Sequence, residues 1–159
     1  QQLRMIAILA HASGARGMGG GQAIDCANVG YALSQAELET MHAMKTGALI
    51  RAAVLLGALA AEVSETEYQA LDQYAQQIGL AFQVVDDVLD AESDSATLGK
   101  TAGKDAADNK PTYVSLMGID AAKALVNELL NSAQNLLLPF GERATRLNEI
   151  ANFIVKRSF

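Results

Sequence analysis

Phe82-Gln83-Val84-Val85-Asp86-Asp87-Val88-Leu89-Asp90 sets three acids into an otherwise apolar run. Wound as an α-helix, at about 100° per residue, the run puts Gln83, Asp86, Asp87, Asp90 and Asp94 on one stripe, while Leu80, Val84, Val85, Val88 and Leu89 fill the rest of the circumference. The acids therefore leave a buried helix in one direction. Crowded carboxylates repel one another and are costly to desolvate, so they call for cations or a water-filled cavity. Oxygen-only ligands suit Mg²⁺, which usually completes its shell with water and substrate phosphates. A solvated acidic helix face fits the same spacing.

Outward from this run the periodicity is helical almost everywhere, and no stretch alternates like a strand. Ser64-Glu65-Thr66-Glu67 reads as a capping box that opens the acid-bearing helix, expected to run to about residue 94. Ser34-Gln35-Ala36-Glu37 is a second such box, opening a long helix to about residue 61. Neighbours joined by so short a connection should pack antiparallel. Upstream, residues 3–12 read as a helix ended by the glycine-rich stretch 14–21, and 22–28 as a short helix before a turn at Gly30. Downstream, 93–111 reads as a long loop carrying Gly99-Lys100, Gly103-Lys104-Asp105 and Asn109-Lys110, a pattern that favours a lid or binding loop. Helices over 112–117, 120–137 and 142–156 complete an all-α bundle, a single domain over 1–159.

Half of the 159 residues are hydrophobic and 19% are charged. That is more apolar surface than a free-standing domain of this size hides, which points to an oligomer or to a missing half. A net charge of -6 and the lack of a basic patch with interleaved aromatics argue against nucleic acid. The single cysteine, Cys26, rules out a disulfide framework and is compatible with a reducing cytoplasm. Residues 41–61 are apolar but interrupted by His42, Lys45 and Arg51, so they read as the centre of a bundle and not as a membrane span. The opening Gln1-Gln2-Leu3-Arg4-Met5 carries neither an initiator methionine nor a basic leader, as expected of a chain entered partway through.

A second site lies in Met41-His42-Ala43-Met44-Lys45-Thr46-Gly47-Ala48-Leu49-Ile50. At helical spacing His42 and Lys45 share a face, with Thr46 one position further round. A lysine and a hydroxyl aimed into a bundle can clamp phosphate oxygens. A snorkelling lysine beside a core histidine explains the segment equally well when it is taken alone. Opposed to an acidic helix, the pair makes a coherent diphosphate site.

These segments, with Gly17-Met18-Gly19-Gly20-Gly21-Gln22-Ala23-Ile24-Asp25 before them and the lysines of the 93–111 loop after, resemble the trans-isoprenyl diphosphate synthases, most closely the bacterial farnesyl diphosphate synthases. Order and spacing agree from Gly17 to Tyr113, and Ile154-Val155-Lys156-Arg157-Ser158-Phe159 is similar to the family's basic C-terminus. The resemblance implies an isoprenoid-synthase bundle, usually homodimeric, that joins isopentenyl diphosphate to an allylic diphosphate with Mg²⁺. It implies that Asp86, Asp87 and Asp90 are the second Asp-rich motif, and that Lys45 and Lys100 hold the allylic diphosphate with Thr46, Gln83 and Lys110 nearby. Gln22 and Asp25 match a family Gln-x-x-Asp that lines the site and positions a lysine, and Arg157 matches a residue near the isopentenyl diphosphate pocket.

Family members are about twice as long, and their first Asp-rich motif and upstream basic residues have no counterpart here. The expectation is a C-terminal half, inactive without the rest. A non-catalytic subunit of a heteromeric synthase and a class I terpene cyclase are the other readings; the cyclases usually carry an Asn/Ser/Glu second metal motif, which Asp86-Asp87-Val88-Leu89-Asp90 is not.

Overall fold

The computed structural model describes residues 1–31, 33–96 and 112–157. They are helical, with no strand among the described residues: α1 (Gln2–Ser13), α2 (Met18–Ala27), α3 (Gln35–His42), a π-helical turn (Ala43–Gly47), α4 (Ala48–Ala60), α5 (Glu65–Ala96), α6 (Tyr113–Met117), α7 (Ile119–Leu137), a 3₁₀ segment (Leu138–Ala144) and α8 (Thr145–Lys156).

Both capping boxes form. Glu37 N–H donates to Ser34 Oγ while Ser34 N–H donates to the Glu37 carboxylate at 2.9 Å. Ser64 and Glu67 repeat the exchange at the start of α5. Each box satisfies two donors that a helix start would otherwise leave unpaired. Helix α5 is the axis of the bundle. Its contacts with the preceding segment run in opposite directions along the two chains, Thr46 meeting Gln83, Gly47 meeting Gly79 and Arg51 meeting Asp72, which is the antiparallel packing expected.

The core has two parts along α5. At the acidic end Leu38, Met41, Val84, Val85, Val88 and Tyr113 pack with Val126 and Leu129 of α7. At the other end Leu71, Tyr74 and Ile78 meet Leu137 and Phe140. Tyr74, buried there, donates its hydroxyl to the carbonyl of Leu147 at 2.8 Å and pins α8 to the axis.

Four local expectations are corrected. The 34–61 helix is continuous from Gln35 to Ala60 as expected but not α-helical throughout, because a π-turn over Ala43–Gly47 inserts an extra residue into the ladder. Gly19, Gly20 and Gly21 do not lie between two helices but form the first turns of α2, which starts at Met18, earlier than 22. Ser93 begins no loop, since α5 continues to Ala96. The last helix starts at Thr145, later than 142, because Gly141 takes φ 55 and interrupts the winding before it.

Helix α2 gets its position from Gly21. A Cβ there would lie 2.2 Å from the Lys45 nitrogen and 2.6 Å from its Cα, against backbone that cannot move aside. Gly21→Ala should therefore push α2 off the π-turn, an overpacking cost of about 1–3 kcal/mol. The expected result is a thermal midpoint lower by several degrees, measured by calorimetry.

Residues 35–60 are long and apolar enough to cross a bilayer by length and composition. A central bundle helix meets the same criterion, and the contacts of this segment with α1, α2 and α5 are those of a bundle helix. Its outer face is thinly covered, with only Ala52, Leu55 and Ala58 buried in α4. On α1, Leu3, Ile6 and Leu9 are exposed at 83%, 62% and 50%, one apolar stripe that no described residue covers.

Candidate functional site

Three elements meet at the acidic end of α5: the π-turn, the helix α2 laid across it, and the C-terminal end of α8. Thr46 donates its hydroxyl to Gln83 Oε1 at 3.1 Å, tying the turn to α5 one helical turn before Asp86 and Asp87. Lys45 Nζ donates to Asp25 Oδ2 at 2.6 Å, so α2 supplies the carboxylate that orients the lysine. The Lys45 side chain remains 36% exposed, within reach of solvent, while Asp25 is 15% exposed.

The stripe on α5 separates by depth. Asp87 is buried at 7% exposure and accepts the Tyr113 main-chain N–H on Oδ2 at 2.7 Å. Asp86 is partly buried and pairs with the Arg157 guanidinium. Asp90 lies at the surface. Arg157 also donates to the Phe82 carbonyl at 2.9 Å and stacks 3.9 Å from the Phe82 ring centroid, so three contacts fix it across the acidic turn. Burial pushes the Asp86 carboxyl above the usual range, Arg157 pulls it down and Asp90 raises it again. A carboxylate held under that strain gains from any further cation.

His42 ends α3 just before the π-turn. It is buried at 8% exposure, and its ring meets Tyr113 edge-on with centroids 5.8 Å apart. Burial, then the charge of Lys45, lower its pKa to about 4, with Asp25 opposing. His42 is therefore neutral in the fold and protonates more readily when unfolded. Its contribution to stability is complete above about pH 6.5 and is lost as pH falls toward 4, at most about 3 kcal/mol. Wild type should lose more of its thermal midpoint than His42→Phe over that window, a comparison in which the shared carboxylates cancel.

Of the other residues singled out in the sequence, Gln22 sits on α2 with its amide donating to Cys26 Sγ at 3.2 Å along its own helix. Lys100, Lys104 and Lys110 lie outside the described residues, as does the side chain of Asp94. Sequence reasoning missed the His42–Tyr113 contact, the Tyr113 N–H on Asp87 and the Phe82 platform. No spacing signals them, because their partners come from other helices.

Among the described residues no three His, Cys, Asp or Glu side chains gather closely enough to hold an ion by themselves. Asp86, Asp87 and Asp90 supply oxygen donors only, and few of them, a set that suits Mg²⁺ sharing its shell with water and phosphate. A groove of about 780 Å³ between α1, α4 and α5 is a separate feature, lined by Ile8, Met44, Ala48, Leu55 and Leu80 and by none of these acids.

An all-α bundle with an Asp-rich axial helix tied to a lysine-bearing turn defines the class. The chain belongs to the polyprenyl synthetase family, which it matches over residues 1–136. It is 47% identical over 153 residues to a probable farnesyl diphosphate synthase of Sinorhizobium fredii, covering 94% of this chain and 46% of that protein. Among solved structures, an FPP/GFPP synthase from Zymomonas mobilis superposes with a TM-score of 0.83 at 35% identity, over 96% of this chain and 50% of the other. A geranyltransferase from Helicobacter pylori, solved with magnesium and isoprenyl diphosphate, gives 0.75 at 31% identity, over 96% and 50%. The chain thus spans about half the length of the relatives it matches.

Proposed function

We propose that this chain is the C-terminal part of a magnesium-dependent trans-prenyltransferase that condenses isopentenyl diphosphate with dimethylallyl or geranyl diphosphate to give farnesyl diphosphate. The observation that carries the reading is the Thr46–Gln83 hydrogen bond, which locks the turn bearing Lys45 to the turn bearing Asp86 and Asp87. A cation donor and a carboxylate pair fixed on adjoining walls can grip one diphosphate from two sides.

Asp86, Asp87 and Asp90 would hold magnesium, which when bound neutralises diphosphate charge and favours its departure. Lys45, oriented by Asp25, and Lys100 would hold the same diphosphate, with Thr46, Gln83 and Lys110 beside it. Their charge helps most as the allylic carbon–oxygen bond breaks and negative charge collects on the leaving group. The isopentenyl double bond then attacks the allylic carbon, and the proton lost from the new adduct leaves with the released diphosphate. Apolar walls keep water from the cation. Gln22 would line the same cavity, and Arg157 would serve the isopentenyl diphosphate side once released from Asp86.

The uncovered stripe of α1 and the groove beside it are where the N-terminal part would pack. The complete enzyme is read as a cytoplasmic homodimer. The test is chromatography of the product formed from isopentenyl and geranyl diphosphate by the complete enzyme, with and without EDTA. A fifteen-carbon product that disappears with the chelator supports the reading, and a product without isopentenyl addition refutes it.

A further inference from the structure

Asp87 is held by a main-chain group, the N–H of Tyr113, and the position of that group depends on where the Tyr113 ring is lodged. The ring is fully buried, 0% exposed, between α3, α5 and α7. Its hydroxyl and the Nδ1 of His42 are both sealed from solvent without a hydrogen-bond partner. Among the described residues, what holds the two rings is the perpendicular contact between them and the surrounding packing. His42 in turn closes α3 at the point where the π-turn carrying Lys45 begins. One contact thus joins the lysine-bearing segment to the residue that holds Asp87.

We propose that His42 and Tyr113 are positioning residues for Asp87: the imidazole, packed at right angles to the phenol ring, braces it, and the braced main chain fixes one carboxylate oxygen. Neither side chain touches substrate. The consequence for metal binding rests on the proposed role of Asp87, whereas the brace itself does not. Ring shape is what the brace requires, so His42→Phe and Tyr113→Phe keep it, and His42→Ala and His42→Leu remove the aromatic partner. The leucine variant fills the site should alanine fail to fold.

The test is made in the complete enzyme by hydrogen exchange at single-residue resolution, with Val126 and Leu129 of α7 as internal references. His42→Leu or His42→Ala should speed exchange of the Tyr113 amide about tenfold against those references, and the two phenylalanine variants should stay within about twofold of wild type. A Tyr113 amide unmoved by His42→Leu overturns the proposal, as does His42→Phe exchanging as fast as His42→Leu. Calorimetry with Mg²⁺ and inorganic diphosphate separates the two claims. Loss of affinity in His42→Leu but not in His42→Phe ties the brace to the metal site. If Asp87→Asn leaves that affinity unchanged, the metal role fails while the exchange result still decides the brace.

Discussion

Expressed without upstream sequence, residues 1–159 should not condense isoprenoid diphosphates at a useful rate. On the proposed function the chain supplies one of two carboxylate walls, and among the described residues Asp86, Asp87 and Asp90 do not enclose an ion by themselves. Magnesium would be under-coordinated and the diphosphate poorly oriented. Misplacement by about 1 Å already costs on the order of a hundredfold in rate, and losing a whole wall should cost far more. The α1 stripe of Leu3, Ile6 and Leu9, with the thinly covered α4, should also drive the isolated chain to aggregate or to recruit its partner. Adding the N-terminal part in trans should recover turnover of isopentenyl plus geranyl diphosphate. Robust turnover by residues 1–159 alone would show that other residues complete the site.

The second large effect is at Lys45. Lys45→Ala removes the cation that Asp25 aims, and turnover of the complete enzyme should fall by about a hundredfold, the usual scale for one donor to developing charge. Stability should hardly change. The Lys45–Asp25 pair is partly exposed, and such pairs contribute about 0–1 kcal/mol, a few degrees in midpoint. Lys100→Ala should behave alike. A large loss of midpoint with normal kinetics in the folded fraction would make Lys45 a structural partner of Asp25 and nothing more.

How far the sequence could be read follows from the range of each interaction. The capping boxes at Ser34 and Ser64 are local, with both partners three residues apart, and both helix starts were legible. The apolar circumference of α5 was legible too, since Val84, Val85 and Val88 recur at helical spacing and are buried. The π-turn was not. Its extra residue lies where α2 and α5 pack on Ala43–Gly47, and nothing in the apolar pattern of 41–61 marks it. The glycines at 19–21 read as the end of α1 by composition, yet they are helical, and residue 21 is glycine because only hydrogen fits against Lys45. At the site, the Asp-rich run and the lysine were visible as chemistry. Their holders were not: Tyr113 is 26 residues from Asp87, and Arg157 is 71 from Asp86. One acid stripe thus became three environments: buried under Tyr113, paired with Arg157, and exposed.

The central claim is that Asp86 and Asp87 hold metal and diphosphate together, and calorimetry of the complete enzyme tests it most directly. Magnesium with a non-hydrolysable allylic diphosphate analogue is titrated into wild type and into Asp86→Asn, which keeps the shape and removes the charge. Each ligand should bind weakly alone and much better with the other, and the asparagine should weaken the joint binding by at least about tenfold. Magnesium-dependent binding of the analogue that is unchanged in Asp86→Asn would contradict the account.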